Sequence, residues 1–315
     1  MASNTVGMIG LGIMGSAMAA NLVQAGFAVV GHDVVAAKRS ALARAGGKPA
    51  ASGKAVGRRA PIVVTSLPSA AALVQVCAEL AQASRRGQIV IETSTLPIEV
   101  KEAQRALLAA QGISLLDCPL SGTGIQARSK DLVVYVGGEA AEYRRCIPVF
   151  EGFARAHYRV GPFGAGSKMK FLANLLVAVH NVAAAEALVL GMKAGLDPAR
   201  VREVLASGAG NSRMLEIRGP LMVRGDYSPA MMRVDIWQKD MKIIGDFARS
   251  LDCPTPLFAA AAPFYSAAMG MGHAAEDTAS VCAVLEALAG HTRRPSRRGA
   301  ARGGKATPPA RKRGR

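Results

Sequence analysis

A glycine-rich turn near the start constrains this chain more than any other feature. An apolar run at residues 6–9 leads into Gly10-Leu11-Gly12-Ile13-Met14-Gly15, and a segment of helical composition follows. In this G-x-G-x-x-G spacing the first glycine permits a sharp turn, the second lets a pyrophosphate approach the backbone, and the third lets the helix pack on the strand. The helix start also offers free N–H groups to phosphate. The pattern predicts dinucleotide binding; the alternative is a glycine-rich turn in another kind of α/β protein.

An acidic residue supports this prediction. Residues 28–32 form a second strand-like run, and Asp33 follows it, 18 residues after Gly15. A carboxylate in this position can accept hydrogen bonds from the ribose of an adenosine.

Strand-like and helix-like segments alternate through the first half of the chain. Apolar runs separated by helical segments recur at residues 61–66, 88–92, 113–117, 132–136 and 157–160. The alternation predicts an α/β fold with a Rossmann-type, doubly wound and mostly parallel sheet. Ligands of such sheets bind at the carboxyl ends of the strands. Leu67 and Pro68, which follow one of these strands, are therefore predicted to contact the cofactor.

The pattern changes at residues 161–166, after which strand signals stop. Residues 167–194 are apolar and small-sided on nearly all faces, which predicts a long buried helix. Further helices are expected at residues 198–207, 212–218, 235–251, 255–271 and 276–289. The predicted organisation is a dinucleotide-binding domain at 1–163, an all-α domain at 164–289 built on the long inter-domain helix, and a basic tail at 290–315.

The net charge of +17 resembles that of a nucleic-acid-binding protein, but its distribution argues otherwise. Residues 291–315 carry ten Lys and Arg and no acid, and without these ten the net charge is +7. A Gly/Pro/Arg segment of this kind cannot form a core and is predicted to be disordered. The tail could contact nucleic acid or anionic surfaces, or it could simply aid solubility, and the sequence leaves both open.

The cysteines and the apolar runs indicate in which cellular compartment the chain is expected to work. Five cysteines without CxxC pairing suit a reducing compartment and argue against a metal or disulfide framework. No basic n-region of a signal peptide is seen. The longest apolar stretch contains His180, Asn181 and Glu186, which argues against a membrane span. The predicted location is the cytoplasm.

Lys170 and Asn174 are the first candidates for chemistry. They are four residues apart at the start of the long helix, so both project from one face where the two domains meet. Ligand-binding sites occur preferentially at such interfaces between domains. Burial and a neighbouring ammonium would lower the pKa of the lysine toward neutrality, where it can exchange a proton. The alternative is a lysine that extends to solvent near the helix start.

These segments together resemble the β-hydroxyacid dehydrogenase family, which includes 3-hydroxyisobutyrate, tartronate-semialdehyde and L-threonate dehydrogenases. The resemblance covers residues 5 to 289. It is carried, in order, by the glycine turn, Thr93-Ser94-Thr95, Asp117-Cys118-Pro119-Leu120-Ser121-Gly122, Gly164-Ala165-Gly166-Ser167-Lys168-Met169-Lys170 with Asn174, and Lys239-Asp240.

The resemblance implies a role for each motif. Lys170 would be the catalytic acid/base, with Asn174 supporting it. Thr95 would lie against the nicotinamide ribose, and Lys239 would close over cofactor and substrate. Ser121 and the Gly122 backbone would hold the substrate carboxylate. The all-α domain would form a homodimer or homotetramer through its first helices.

Two departures from the family pattern bear on specificity. Thr123 stands where the family often has a second glycine, so it would change the pocket beside the carboxylate site. NADP-using members typically have Asn-Arg at the end of the second strand, where this chain has Asp33-Val34. An aspartate would repel a 2′-phosphate, which favours NAD. Lys38 and Arg39 are interpreted as a solvated helix face.

Other segments resemble four-carbon acid dehydrogenases such as those acting on L-threonate. They place Asn211, Ser212 and Asp235 on the far side of the pocket, where they would suit a substrate with extra hydroxyls. An equal alternative is that these residues cap helices.

The expected function is NAD-dependent oxidation of the 3-hydroxyl of a small C3–C4 hydroxycarboxylic acid, or the reverse reduction. Two alternatives are a non-catalytic cofactor-binding scaffold tethered to nucleic acid by the tail, and an imine reductase. Lys170 argues against both, because the relatives with these roles have usually replaced the lysine.

Overall fold

A computed structural model describes residues 4–83 and 85–293. The predicted disordered tail therefore lies almost entirely outside the described residues, and so does the question of whether it contacts nucleic acid.

The first half of the chain alternates strands and helices. The strands are β1 (Thr5–Ile9), β2 (Ala28–His32), β3 (Lys48–Pro49), β4 (Ile62–Thr65), β5 (Ile89–Glu92), β6 (Ser114–Asp117), β7 (Leu120–Ser121), β8 (Val133–Gly137) and β9 (Ala156–Gly161). The helices are α1 (Ile13–Gln24), α2 (Ala36–Arg44), α3 (Gly53–Arg59), α4 (Ala70–Ala81), α5 (Ile98–Ala109), α6 (Gly124–Arg128) and α7 (Ala140–Phe153).

Within the described residues these strands form one sheet in the order β3-β2-β1-β4-β5-β6-β8-β7, with β9 on the other side of β8. Neighbours from β3 to β6 are parallel, and β8 runs antiparallel to β6 and β7. The predicted mostly parallel, Rossmann-type sheet is confirmed. Its central strands are apolar and rich in β-branched residues because helices cover both faces.

The second half is helical. Its elements are α8 (Ala165–Lys193), α9 (Pro198–Ala206), α10 (Arg213–Arg224), α11 (Val234–Ser250), α12 (Pro256–Gly270), a 3₁₀ turn (Thr278–Ser280) and α13 (Val281–Leu288). Helix α8 is the core of this region and packs against α10, α11, α12 and α13. The prediction of a helical second region built on one long helix is confirmed. The sheet ends at Gly161 and α8 begins at Ala165, while the exact domain boundaries stay a prediction.

Helix α8 is long and apolar enough to cross a membrane by length and composition alone. However, Ala178, Ala185 and Leu188 on it are fully buried among the other helices. Burial of this kind is typical of the central helix of a globular domain, and it supports the interpretation made from the sequence.

The first turn of α8 is fixed against the carboxyl end of the sheet. A Cβ atom on Gly166 would lie 2.4 Å from the carbonyl oxygen of Asp117 and 2.5 Å from that of Tyr135, so only glycine fits. The Asp117 carboxylate also accepts hydrogen bonds from the Ser167 backbone N–H at 2.6 Å and from its hydroxyl at 2.7 Å. This contact sets the position of every residue on the next turns of α8.

The structure differs from the predicted elements at several points. Helices α3 and α6 and the two-residue strands β3 and β7 were not predicted. Helix α10 was predicted to stop at residue 218, but it continues through Pro220 to Arg224, because Leu221 and Met222 are buried in the helical core. The segment 276–289, predicted as one helix, is a 3₁₀ turn followed by α13.

Candidate functional site

The glycine turn has the shape that a dinucleotide needs. Gly10 has a φ of 87°, and a Cβ atom there would lie 2.2 Å from the carbonyl oxygen of Ser66. A Cβ atom on Gly15 would lie 1.9 Å from the carbonyl oxygen of Gly10. A Cβ atom on Gly12 would meet nothing within 4 Å, so this backbone is open to a ligand. Leu11, Ile13 and Met14 complete the turn at the N-terminus of α1, where free N–H groups can bind phosphate.

Asp33 stands at the end of β2 with its carboxylate already engaged. One oxygen accepts from the Leu11 N–H and the other from the Val35 N–H, each at 2.8 Å. The side chain of Arg39 folds back and donates to the carbonyl oxygen of Asp33 at 2.6 Å. The Lys38 ammonium lies 3.8 Å from the Asp33 carboxylate. Lys38 and Arg39 are therefore not only a solvated helix face, because both turn toward the end of β2.

The loops after β4 and β5 meet next to this turn. The Leu67 N–H donates to the Ser94 hydroxyl at 2.8 Å, and Pro68 follows in the same loop. The Thr95 carbonyl accepts from the Lys239 ammonium of α11 at 2.6 Å. This bond joins the helical region to the sheet across the candidate cleft.

Beneath these loops lies a buried charge cluster that the sequence analysis missed. Glu92 and Asp117 are register partners at the ends of β5 and β6, and both are fully buried. The Lys101 ammonium, with 0% exposure, lies 2.6 Å from Glu92 and 2.8 Å from Asp117. It also donates to the Ser94 carbonyl at 2.7 Å. Two adjacent strand-end acids are the signal that could have indicated a buried cation.

The electrostatics of this cluster favour a charged lysine. Burial by itself lowers the pKa of Lys101, but the two carboxylates reverse that effect and hold the pKa above its usual value. Lys101 thereby ties the Ser94–Thr95 loop to Asp117, which in turn holds the first turn of α8.

The structure brings Lys170 and Asn174 of α8 together with Lys239 and Asp240 of α11. The Asn174 amide donates to the Asp240 carboxylate at 2.9 Å, and both side chains are buried. Asp240 also lies 3.2 Å from the Lys239 ammonium. Burial lowers the pKa of Lys170 to about 8; Asp240 opposes this shift and Lys239 adds to it. The result is an amine that can change its protonation state near neutral pH.

Lys170 and Asn174 line a cavity of about 120 Å³ between the sheet and the helical region. Lys170, Arg213 and Arg218 contribute basic side chains to its lining, and among the described residues no carboxylate belongs to it. The other lining residues are Ser121, Gly122, Thr123, Gln126, Asn174, Val177, Met214, Ile217, Met232 and Trp237. Because these basic side chains are hydrogen-bond donors, the cavity suits a ligand that presents oxygen acceptors.

Thr123 serves a local structural purpose as well as lining the cavity. It is the N-cap residue of α6, and its backbone N–H donates to the Gln126 side chain at 3.0 Å in a capping box. Gly122 before it has a φ of 134°, a conformation that favours glycine.

Asn211, Ser212 and Asp235 lie apart from this lining in the described chain. The Asn211 amide donates to Glu216 at 2.8 Å on the surface. Ser212 accepts from the Leu215 N–H and caps α10. Asp235 pairs with Arg233 in the first turn of α11. The geometry agrees with the helix-capping alternative for Ser212, while the substrate contacts of Asn211 and Asp235 stay predictions.

Comparisons with known proteins match both regions. The family model described as the NAD binding domain of 6-phosphogluconate dehydrogenase matches residues 5–161. The model described as NAD-binding of NADP-dependent 3-hydroxyisobutyrate dehydrogenase matches residues 164–285. An L-threonate dehydrogenase of Cupriavidus necator is 38% identical over 290 residues, which is 91% of this chain and 97% of that protein. A 2-(hydroxymethyl)glutarate dehydrogenase of Eubacterium barkeri is 29% identical, with 90% and 96% covered.

Two solved structures resemble this chain over most of its length. A 3-hydroxyisobutyrate dehydrogenase from Salmonella typhimurium has a TM-score of 0.80 and 32% identity, covering 89% of this chain and 99% of that one. An imine reductase of Streptomyces aurantiacus has a TM-score of 0.60 at 21% identity, with 89% and 99% covered. That second likeness concerns the fold alone.

Proposed function

This chain belongs to the β-hydroxyacid dehydrogenase family, and from that premise we propose which of its residues carry out the reaction and on what. As a member it is a nicotinamide-dependent oxidoreductase that acts on the CH–OH group of a small hydroxy acid. We propose oxidation of the 3-hydroxyl of a C3–C4 hydroxycarboxylic acid, or the reverse reduction. The single observation that carries the residue assignment is geometric: Lys170 and Asn174 line the same cavity as Ser121 and Gly122. The lowering of the Lys170 pKa to about 8 by burial supports it.

Lys170 is the proton acceptor and donor. A nicotinamide cofactor bound at the glycine turn would supply the hydride acceptor for the substrate carbon. The neutral Lys170 amine accepts the hydroxyl proton at its Nζ atom, so the substrate oxygen becomes a carbonyl and the lysine becomes an ammonium. In the reverse direction the ammonium returns this proton to the oxygen of the reduced substrate. Asn174, held by Asp240, lies one helical turn after Lys170 and orients the reacting groups.

Ser121 and Gly122 bind the substrate carboxylate. They lie in the same cavity lining as Lys170, and a hydroxyl with a neighbouring backbone N–H is a common carboxylate site. Thr123 narrows this end of the cavity compared with glycine.

The cofactor is held by the glycine turn, by Leu67 and Pro68, and by Thr95 with Lys239 above it. NAD is favoured over NADP because the Asp33 carboxylate stands where a 2′-phosphate would meet it. Arg39 and Lys38 reduce that repulsion, so the preference is expected to be moderate.

The protein works as a homodimer or homotetramer in the cytoplasm. Helix α8 supports the oligomer because it exposes large apolar side chains along one stripe: Leu172 is 54% exposed, Leu176 51% and Leu190 72%. Such a stripe on a soluble protein marks an interaction surface. Light scattering coupled to gel filtration measures the mass directly.

A spectrophotometric screen of C3 and C4 hydroxy acids with NAD and NADP tests the function. We expect turnover on at least one of them, faster with NAD, and NMR of the product identifies the hydroxyl that is oxidised. A protein that binds NADH but turns over no acid would instead fit the cofactor-binding scaffold.

A further inference from the structure

One wall of the catalytic cavity is built by α10 and is rich in hydrogen-bond donors. Arg213 and Arg218 both come from this helix and both line the cavity. Arg218 is only 4% exposed, whereas Arg213 is a surface residue. Trp237 of α11 belongs to the same lining, and among the described residues its buried indole N–H has no hydrogen-bond partner. A wall of this kind suits a ligand that presents oxygen acceptors.

Arg218 has N–H groups that form no hydrogen bond with the described residues. A guanidinium carries five N–H groups. Within residues 4–83 and 85–293, hydrogen bonds use two of them: Nε donates to Asp277 at 3.1 Å, and one terminal nitrogen donates to the Met214 sulfur at 2.8 Å. The second terminal nitrogen of Arg218 has no hydrogen-bond partner among the described residues, so its N–H groups at the cavity wall are available to a ligand.

Asp277 fixes Arg218 in place and balances its charge. The Asp277 carboxylate is fully buried and accepts backbone N–H bonds from Met231, Met232 and Ala279 at 2.8 to 3.0 Å. With Arg218 it has four donors, so it is saturated. Arg213 is likewise paired, with Glu216 at 2.8 Å. The α10 wall therefore offers many donors but little net positive charge.

The many donors and the low net charge of the α10 wall indicate which chemical groups of a ligand it can bind. A second carboxylate would need an uncompensated cation, whereas neutral hydroxyl oxygens need only donors. We propose that Arg218 is a specificity-determining residue that binds hydroxyl groups of the substrate beyond the reacting carbon, and that the substrate is a four-carbon polyhydroxy monocarboxylic acid. This inference rests on the proposed function, because it concerns the same cavity and the same reaction.

The test compares three acids on the wild-type enzyme and on Arg218→Met. L-threonate carries extra hydroxyls, 3-hydroxyisobutyrate has none, and 2-(hydroxymethyl)glutarate has a second carboxylate. We expect the wild type to prefer L-threonate in kcat/KM. Arg218→Met should lose about 10- to 100-fold on L-threonate, the range for hydrogen bonds to a charged group, and less than about 3-fold on 3-hydroxyisobutyrate. Arg218→Lys should fall between wild type and Arg218→Met.

Two controls separate specificity from structural damage. Arg202 of α9 donates to the Glu216 carbonyl at 3.3 Å but lies outside the cavity lining, so Arg202→Met should leave the substrate ratio unchanged. Stabilisation of the wild-type protein by L-threonate in thermal unfolding should be lost in Arg218→Met, and this measurement needs no turnover.

The outcomes discriminate clearly. Equal losses by Arg218→Met on both monocarboxylates would mean that the residue is only structural, and a wild-type preference for 2-(hydroxymethyl)glutarate would mean that the wall binds a carboxylate; either result overturns the inference. If the wild type oxidises no acid but L-threonate still stabilises it through Arg218, the proposed function fails while the binding assignment stands.

Discussion

Lys101 is fully buried and Lys170 is partly buried, and their pKa values are displaced in opposite directions. Lys101 lies between two carboxylates at 2.6 and 2.8 Å, and its pKa is raised. Lys170 has Asp240 as its nearby acid and Lys239 as an opposing cation, and its pKa is lowered to about 8. Burial is common to both, so the neighbouring charges decide the direction.

The two lysines are therefore suited to different roles. A lysine locked in its charged form cannot exchange protons at neutral pH, but it can hold strands and loops together. A buried lysine whose pKa lies close to the ambient pH is poorly suited to holding strands and loops together, but it can transfer protons. Lys101 of α5 therefore has a structural role beside the strand ends of the sheet. Lys170 of α8, at the junction with the helical region, is the lysine suited to proton transfer.

The largest expected effect is on catalysis at Lys170. Lys170→Met should reduce kcat by roughly 10²- to 10⁴-fold, the usual contribution of a general acid/base, while NADH binding measured by fluorescence is retained. Lys168→Met is the matched control, because Lys168 is exposed two residues earlier on the same helix and should keep near-normal activity. Retained activity in Lys170→Met would remove the assignment.

The same substitution at Lys101 should act on stability. Lys101→Met leaves Glu92 and Asp117 buried without their cation, which costs roughly 3–5 kcal/mol of unfolding free energy. Urea unfolding followed by circular dichroism measures this. Lys170→Met is the counterpart here and should leave stability unchanged or slightly higher, since it removes an amine whose charged form is disfavoured by burial. Equal destabilisation of both variants would contradict the comparison.

The smallest effect is a shift in pH dependence. Oxidation needs neutral Lys170, so kcat should rise as the pH passes about 8 and then level off. Lys239→Met removes the cation that lowers this pKa, so the rise should move to higher pH. Asp240→Asn removes the opposing carboxylate, so the rise should move to lower pH. Profiles of kcat at saturating cofactor check the signs, and shifts in the same direction would show that another group titrates.

Local sequence signals predicted the elements with strong periodicity better than those decided by packing. Helix α10 was predicted to end at residue 218, but it continues to Arg224 because Leu221 and Met222 are buried in the helical core. Lys101 gave no signal by itself, because a lysine on an amphipathic helix is normally a surface residue. Its role follows only from the register that brings Glu92 and Asp117 side by side.

By itself, the sequence determined the alternating α/β region, the glycine turn, the long helix and the spacing of Lys170 and Asn174, because glycine conformations and hydrophobic periods are local properties. The tertiary structure decided which charges meet. The pairing of Lys101 with two strand-end acids, the lowered pKa of Lys170 and the placement of Arg218 against Asp277 all join residues far apart in the chain. Electrostatic energies depend on distance and burial in space, and those quantities exist only once the chain has folded.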